Sequence, residues 1–447
     1  MRKNNLIEGK MNVCSIFNKI LYLTLLLSTN LANAEKGTQL EAENAPTMLS
    51  AESMACFPPF PPTSSVPTAP PAPIARLHAV TEKSNPVRQD SVFQGGELQD
   101  FTRVFTKTFN MNANETVLLH NKYGKINVST GGNNKEVRVN VTVTVHAQQQ
   151  LKANEVFDRI QIKFSQDAKS LKTETVIDAS DCSRKWWDEQ SGCGNSDYSI
   201  DYEVVMPVGT KLNISNKYGN TAVAPTGSSV SIDQKYGNFK LDGATEATIT
   251  LGYGTGIITK CATLSGNIGY GTFRVDNAND VAIKSKFSKL KLQNVHHISL
   301  NSTYDDCVVG KATTLNLETR YGDFNINQVN HLTVESHYTN FRVARLDNDA
   351  DFSTMYGTVK IEKLLRHFGE VYLKGNYTDF AVGIEEGAQY QLDASGAYAD
   401  IQKPANFQQN VSKSNGKLRT IQGKSAGAAN PKSIIRANVK YGDLIIR

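Results

Sequence analysis

The chain has 447 residues, 39% hydrophobic and 20% charged, with a mean hydropathy of −0.37. That balance excludes a polytopic membrane protein and a wholly disordered chain, and it leaves room for two or three domains or one extended array. The formal net charge is +5, and residues 1–34 carry Arg2, Lys3, Lys10 and Lys19 against Glu8. The remainder is near neutral and has no electrostatic mandate to bind nucleic acid.

Lys19 precedes an apolar run, Ile20 to Leu27, which is followed by small residues ending Ala32-Asn33-Ala34. This order predicts a secretory signal over residues 1–34. Its apolar core falls short of the roughly 20 residues a transmembrane helix needs. No other stretch is apolar enough to span, so the expected location is exported: periplasmic, outer-membrane-associated or extracellular. Residues 35–100 lack strand or helix periodicity, and eight of the 14 prolines fall in FPPFPPTSSVPTAPPAP, between Pro58 and Pro73. Proline fixes φ and removes a donor, so this stretch reads as an extended, disordered spacer.

Residues 101–215 read as a β-rich opening module that caps the repeats C-terminal to it. It holds one KYGK at Lys122–Lys125, a strictly alternating EVRVNVTVTV at Glu136–Val145, and a short amphipathic piece at Asn154–Ile160. Further strand signals lie at Thr173–Ile177 and Tyr198–Met206. From residue 216 to 447 an aromatic-led tetrapeptide returns: KYGN, KYGN, GYGT, GYGT, KFSK, TYDD, RYGD, HYTN, MYGT, NYTD, AYAD and, last, KYGD. The aromatics from Tyr218 to Tyr356 recur every 17 or 18 residues, and the spacing then lengthens to 21. A period this regular is the mark of stacked repeats.

Counting each repeat from its aromatic as position 1, position 4 (Phe239, Phe273, Leu290, Cys307, Phe324, Phe341) and position 6 (Leu241, Ile258, Val275, Leu292) are apolar. Positions 12 and 14 (Leu264, Val281, Ile283, Ile298, Leu300) are apolar too, with polar residues between. Such alternation implies two half-buried strands per repeat, and 17 residues leave no room for a helix. The expected fold is all-β, a single-stranded parallel β-solenoid (β-helix) with coils of about 17 residues, preceded by the capping module. The Gly or Asx after each aromatic is expected to supply positive φ at a corner. By parity the aromatic should plug the corner beside the core, its rings stacked along the array; an exposed aromatic strip is the alternative. The excursion at residues 402–438 is expected to loosen or cap the far end.

Cys182 and Cys193 flank DCSRKWWDEQSGC, and in an oxidising compartment they are expected to be bonded. Cys261 and Cys307 fall in apolar slots and read as buried free thiols. The histidines form no metal spacing, and no nucleophile elbow, Walker loop or dinucleotide fingerprint occurs, so neither metal nor cofactor is expected and catalytic residues are none. Asp305, Asp306, Asp323 and Asp379 lie at corner positions 2 and 3, where turn chemistry explains them. Two surface features remain as candidate binding elements. One is a broken basic stripe at position 5, of Lys240, Arg274, Lys291, Arg342 and Lys360, which reads first as a solvated face and otherwise as an anion site. The other is the adjacent pair Trp186 and Trp187, which reads first as packing over the first coil and otherwise as aromatic anchors.

The KYGN and RYGD repeats, their period and the exported opening module resemble a bacterial putative-adhesin domain family over about Thr116 to Arg447. The resemblance implies an exported β-solenoid of Gram-negative bacteria whose biochemical role is largely unassigned, although the C-terminal strand YGDLIIR stands where large surface adhesins carry a translocator or sorting tail. The expected function is non-enzymatic binding or scaffolding at the cell envelope, with envelope polysaccharide or a protein as partner and no nucleic acid. The alternatives are a polysaccharide-processing β-helix enzyme and a periplasmic structural or sensory accessory protein.

Overall fold

A computed structural model describes residues 97–112, 115–131, 135–178 and 197–447. The predicted leader, almost all of the proline-rich spacer, and the Cys182–Cys193 loop with Trp186 and Trp187 lie outside the described residues. Among those described, the chain is all-β, with 22 strands joined in one mixed sheet and a single helix. No described helix is long and apolar enough to cross a membrane.

The repeat region pairs in parallel with the sequence period as its register. Strands β10 (Ser229–Lys235), β12 (Ala244–Gly252), β13 (Thr255–Gly269), β14 (Thr272–Lys286) and β15 (Lys289–Leu364) follow one another. Val230 pairs with Ala247, Ala247 with Leu264, Leu264 with Val281, and Val281 with Ile298. Each position thereby becomes a row running across the strands, and an apolar position becomes a continuous buried row. Positions 4, 6, 12 and 14 are buried as expected: Phe273, Phe324, Leu292 and Ile298 are each at most 2% exposed.

Two features of the core differ from the two-strand expectation. Position 9 forms a further buried row of Cys261, Ala278, Val295, Ala312, Val329 and Leu346. Two outward residues precede it and two follow it, and such pairs mark bends, so each repeat has three inward runs instead of two. Position 16 is also inward and largely polar, as Gln234, Ser285, Ser302, Thr319 and Ser336.

Before the repeats, β2 (Thr116–Lys122) pairs in parallel with β8 (Lys211–Lys217), and β3 (Ile126–Thr130) with β9 (Thr221–Val223). Tyr123 therefore joins the repeats directly, across the intervening excursion. That excursion holds β4 (Glu136–Ala147), helix α1 (Gln150–Arg159), β5 (Ile160–Gln166), β6 (Ser170–Ile177) and β7 (Asp197–Met206). Helix α1 buries Ala153, Val156 and Phe157, a spacing that places them on one face. β1 (Gln99–Asn110) pairs antiparallel with β4, and β4 antiparallel with β7.

At the far end the chain doubles back. β21 (Ser433–Lys440) inserts between β16 (Glu370–Ile384) and β17 (Tyr390–Ala397), parallel to both. The last tetrapeptide is therefore an interior rung, not the outermost one. β20 (Leu418–Lys424) and β19 (Gln408–Asn415) then extend the edge beyond β17 as an antiparallel pair.

Candidate functional site: an aromatic ladder

The most regular surface feature is built by the tetrapeptide aromatics. Thirteen of them, Tyr123, Tyr218, Tyr236, Tyr253, Tyr270, Phe287, Tyr304, Tyr321, Tyr338, Tyr356, Tyr377, Tyr398 and Tyr441, have φ between 52° and 64°. Left-handed backbone costs an L-residue about 1–2 kcal/mol, and here the aromatic itself carries it. The glycine after it serves a different need. A Cβ on Gly219 would lie 1.7 Å from the carbonyl oxygen of Gly124, and one on Gly254 would lie 2.0 Å from that of Gly237. Close approach of successive corners, not positive φ, requires glycine there.

The left-handed residue also overturns the expected parity. Alternation of faces holds only while the backbone stays extended; at the corner positions 17 and 1 both point outward, and position 2 turns in. The rings therefore lie outside the core, and nine of them are 38–51% exposed. They stack in the order of the paired strands, from Tyr123 through Tyr377 to Tyr441 and Tyr398, with centroids 4.6–5.2 Å apart and planes within 2–12°. Tyr198 closes the first ring edge-on at 5.6 Å. At the other end the Lys417 ammonium sits 5.1 Å from the centroid of Tyr398. Ring faces are thus taken up by neighbouring rings, and what meets solvent is a line of ring edges with their phenol hydroxyls, interrupted at Phe287.

Behind the ladder lies a polar inner corner that periodicity did not single out. Gln234 Nε2 donates to Gly219 O at 2.7 Å, and Asn121 Nδ2 to Ile200 O at 2.8 Å, so carbonyls at the bend are satisfied from inside. Asp305, expected as a corner residue explained by turn chemistry, is 1% exposed. Its carboxylate accepts from Ser285 Oγ (2.5 Å), Ser302 Oγ (2.6 Å), Ser288 N (2.7 Å) and Thr303 N (3.2 Å). Burial raises its pKa above the ordinary value, and those four donors pull it back only in part. Because the folded pKa lies above the unfolded one, Asp305 stabilises the fold in acid, and that contribution is lost as pH rises through the folded pKa. Asp305→Asn should therefore gain on the parent as pH is raised from ~4 to ~7. Urea midpoints of both proteins at the two pH values check this, and a constant gap would contradict it.

The position-5 stripe is placed on one side as a row, but most of its charge is already matched. Lys240 lies 2.7 Å from Asp242, Arg274 2.5 Å from Asp276, and Arg342 and Lys360 share Glu362 at 2.9 and 3.3 Å. Lys291 has no carboxylate partner among the described residues. His296 and His297 are exposed, whereas His331 is half-buried and bonds Asp349 through Nδ1 at 3.0 Å. Cys261 and Cys307 are buried free thiols; burial pushes Cys261 up to about 11 and Cys307 still higher. Among the described residues no group of His, Cys, Asp and Glu is arranged to hold a metal. Among the described residues the carboxylate raised by burial is that of Asp305, which points into the core.

No protein-family model matches the chain, and no curated protein does. Solved structures similar to it include a putative cell adhesion protein from Clostridium sporogenes, 11% identical, covering 77% of this chain and 99% of its own, with a TM-score of 0.16. A putative lipid binding protein from Parabacteroides distasonis is 9% identical, covers 78% and 97%, and has a TM-score of 0.21. A putative adhesin from Parabacteroides merdae is 8% identical, covers 77% and 96%, and has a TM-score of 0.22.

Proposed function

We propose that this chain is an exported, non-enzymatic β-solenoid with coils of about 17 residues, which binds or scaffolds at the cell envelope. The observation that carries the reading is the in-register parallel pairing: it sets the ladder aromatics in one row across successive strands, and the position-5 cations in another that Ile257, Val308 and Asn325 interrupt. Rows of identical groups suit long partners, where individually weak contacts add through avidity. Residues 1–34 direct export, residues 35–100 space the folded part from its attachment, and residues 101–215 close one end of the solenoid. The basic stripe of Lys240, Arg274, Lys291, Arg342 and Lys360 and the pair Trp186 and Trp187 are accessory contacts, with Cys182 and Cys193 bonded beside the tryptophans.

Cell fractionation with surface protease digestion tests the location, and non-reducing peptide mapping of the same fraction should recover Cys182 linked to Cys193. Cytoplasmic recovery with free thiols would overturn export. Shortening of an envelope polysaccharide by the purified protein would overturn the non-enzymatic reading.

A further inference from the structure

The first rungs of the ladder carry charge that the described structure balances only in part, through one long ion pair. Lys122, Lys217 and Lys235 each precede an aromatic, and the strands pair them in register, Lys122 with Lys217 and Lys217 with Lys235. Like charges set directly opposite across strands destabilise a sheet. Among the described residues neither Lys122 nor Lys217 has a carboxylate partner, and Lys235 reaches Asp233 only at 4.0 Å. Tyrosine rings hold the first two instead. The Lys122 ammonium is 4.8 Å from the Tyr123 centroid, and that of Lys217 is 4.9 Å from Tyr218 and 5.8 Å from Tyr236. The position-5 stripe is the internal contrast, since four of its five cations have acids beside them.

The row two residues beyond each aromatic adds a gradient of charge along the ladder. It reads Lys125, Asn220, Asn238, Thr255, Thr272 and Lys289 before its first acid, Asp306, and continues through Asp323, Asn340, Thr358, Asp379, Asp443 and Asp400. Lys125 is paired to Asp201 at 3.5 Å. Asn220 Oδ1 accepts from Asn238 N at 3.0 Å, and Asn238 Oδ1 from Thr255 N at 2.9 Å, so these side chains brace the corner and add no charge. This row thus holds its lysines toward the N-terminal end of the ladder and its aspartates toward the C-terminal end, where Lys286, Arg320 and Lys440 precede their aromatics and Arg419 pairs with Asp400.

We infer that the N-terminal end of the ladder is a binding site for a linear acidic polysaccharide, whose carboxylates lie along Lys122, Lys217 and Lys235 while its hydroxyls meet the phenol edges of Tyr123, Tyr218 and Tyr236. The inference rests on the envelope-binding reading above and names the ligand class. The first rungs are spaced 5.2 and 5.0 Å apart, close to the advance of one sugar unit along an extended chain. Single-stranded nucleic acid binds such proteins by stacking bases on free aromatic faces, and here neighbouring rings cover those faces. A lipid surface calls for cations spread over a plane, whereas these three stand in single file.

The test uses the full exported chain with polygalacturonate as probe, titrated at several salt concentrations. The parent should bind, and more weakly as salt rises. Lys122→Gln/Lys217→Gln/Lys235→Gln should lose about tenfold or more in affinity and show a shallower salt dependence, because fewer counterions are exchanged. The stripe variant Lys240→Ser/Arg274→Ser/Lys291→Ser should lose much less. Relief of like-charge pairing should leave the unfolding midpoint of the ladder variant unchanged or raised. Absence of parent binding, equal affinity of the ladder variant and parent, or equal parent affinity for a single-stranded oligonucleotide or for phosphatidylglycerol vesicles would overturn the site. Any of those results leaves an exported, non-enzymatic protein standing, since that reading depends on location and turnover.

Discussion

Phe324→Asp is expected to lower the urea midpoint drastically or abolish folding, while Asn325→Asp leaves it nearly unchanged. Phe324 is 1% exposed, with Phe341 at 5.4 Å in the same buried row, whereas its chain neighbour Asn325 faces solvent. Emptying a buried phenylalanine site alone costs about 3–5 kcal/mol. The carboxylate adds several kcal/mol more, either as desolvation or as the work of protonating it. Together these approach the roughly 5–15 kcal/mol that keeps an ordinary domain folded. An exposed Asn→Asp exchange should stay within about 0.5 kcal/mol. Circular dichroism under urea distinguishes the two, and equal midpoints would mean that the inward and outward assignments are wrong.

Rows 4, 6, 12 and 14 were legible because they follow period-two alternation over several copies, and a buried row tolerates little else. Position 9 could be read as apolar from Cys261, Ala278 and Val295, yet its role as a separate inward run could not. It stands three residues from positions 6 and 12, and only the bends show why. The aromatic was misplaced for a sharper reason. Parity counting carries an assumption of extended backbone through the corner, and one left-handed residue cancels it. The signal for that residue was present but pointed elsewhere, because glycines that seemed to provide positive φ, such as Gly219 and Gly254, are there for their close approach to Gly124 and Gly237. The burial of Asp305 was hidden for a similar reason. Its repeat reads TYDD, and only burial shows the first aspartate turned inward among Ser285, Ser288 and Ser302 while Asp306 stays exposed. The unmatched lysines of the first rungs needed the register across β2, β8 and β10. In the sequence Lys122 and Lys217 are far apart, and nothing but the pairing makes them neighbours.

The cost of holding an aromatic in left-handed backbone can be separated from the value of its stacking by two substitutions at one rung. Tyr321 has φ of 57° and stacks on Tyr304 at 4.6 Å and on Tyr338 at 5.0 Å. Tyr321→Asn removes both ring contacts, each worth about 0.5–1.5 kcal/mol, but asparagine accepts left-handed backbone better than most residues. Its expected loss is about 1–3 kcal/mol. Tyr321→Val removes the same contacts and also places a β-branched side chain where such residues are conformational outliers. It should fall below the asparagine variant by a further 1–2 kcal/mol or so. The native tyrosine pays that conformational cost as well, and it offsets it by sharing both faces with neighbours, which is why an aromatic and not a glycine recurs at this corner. Denaturant midpoints for the two variants read the difference directly. Equal losses would show that the corner relaxes to extended backbone once the ring is gone, so that stacking, and not the bend, imposes the positive φ.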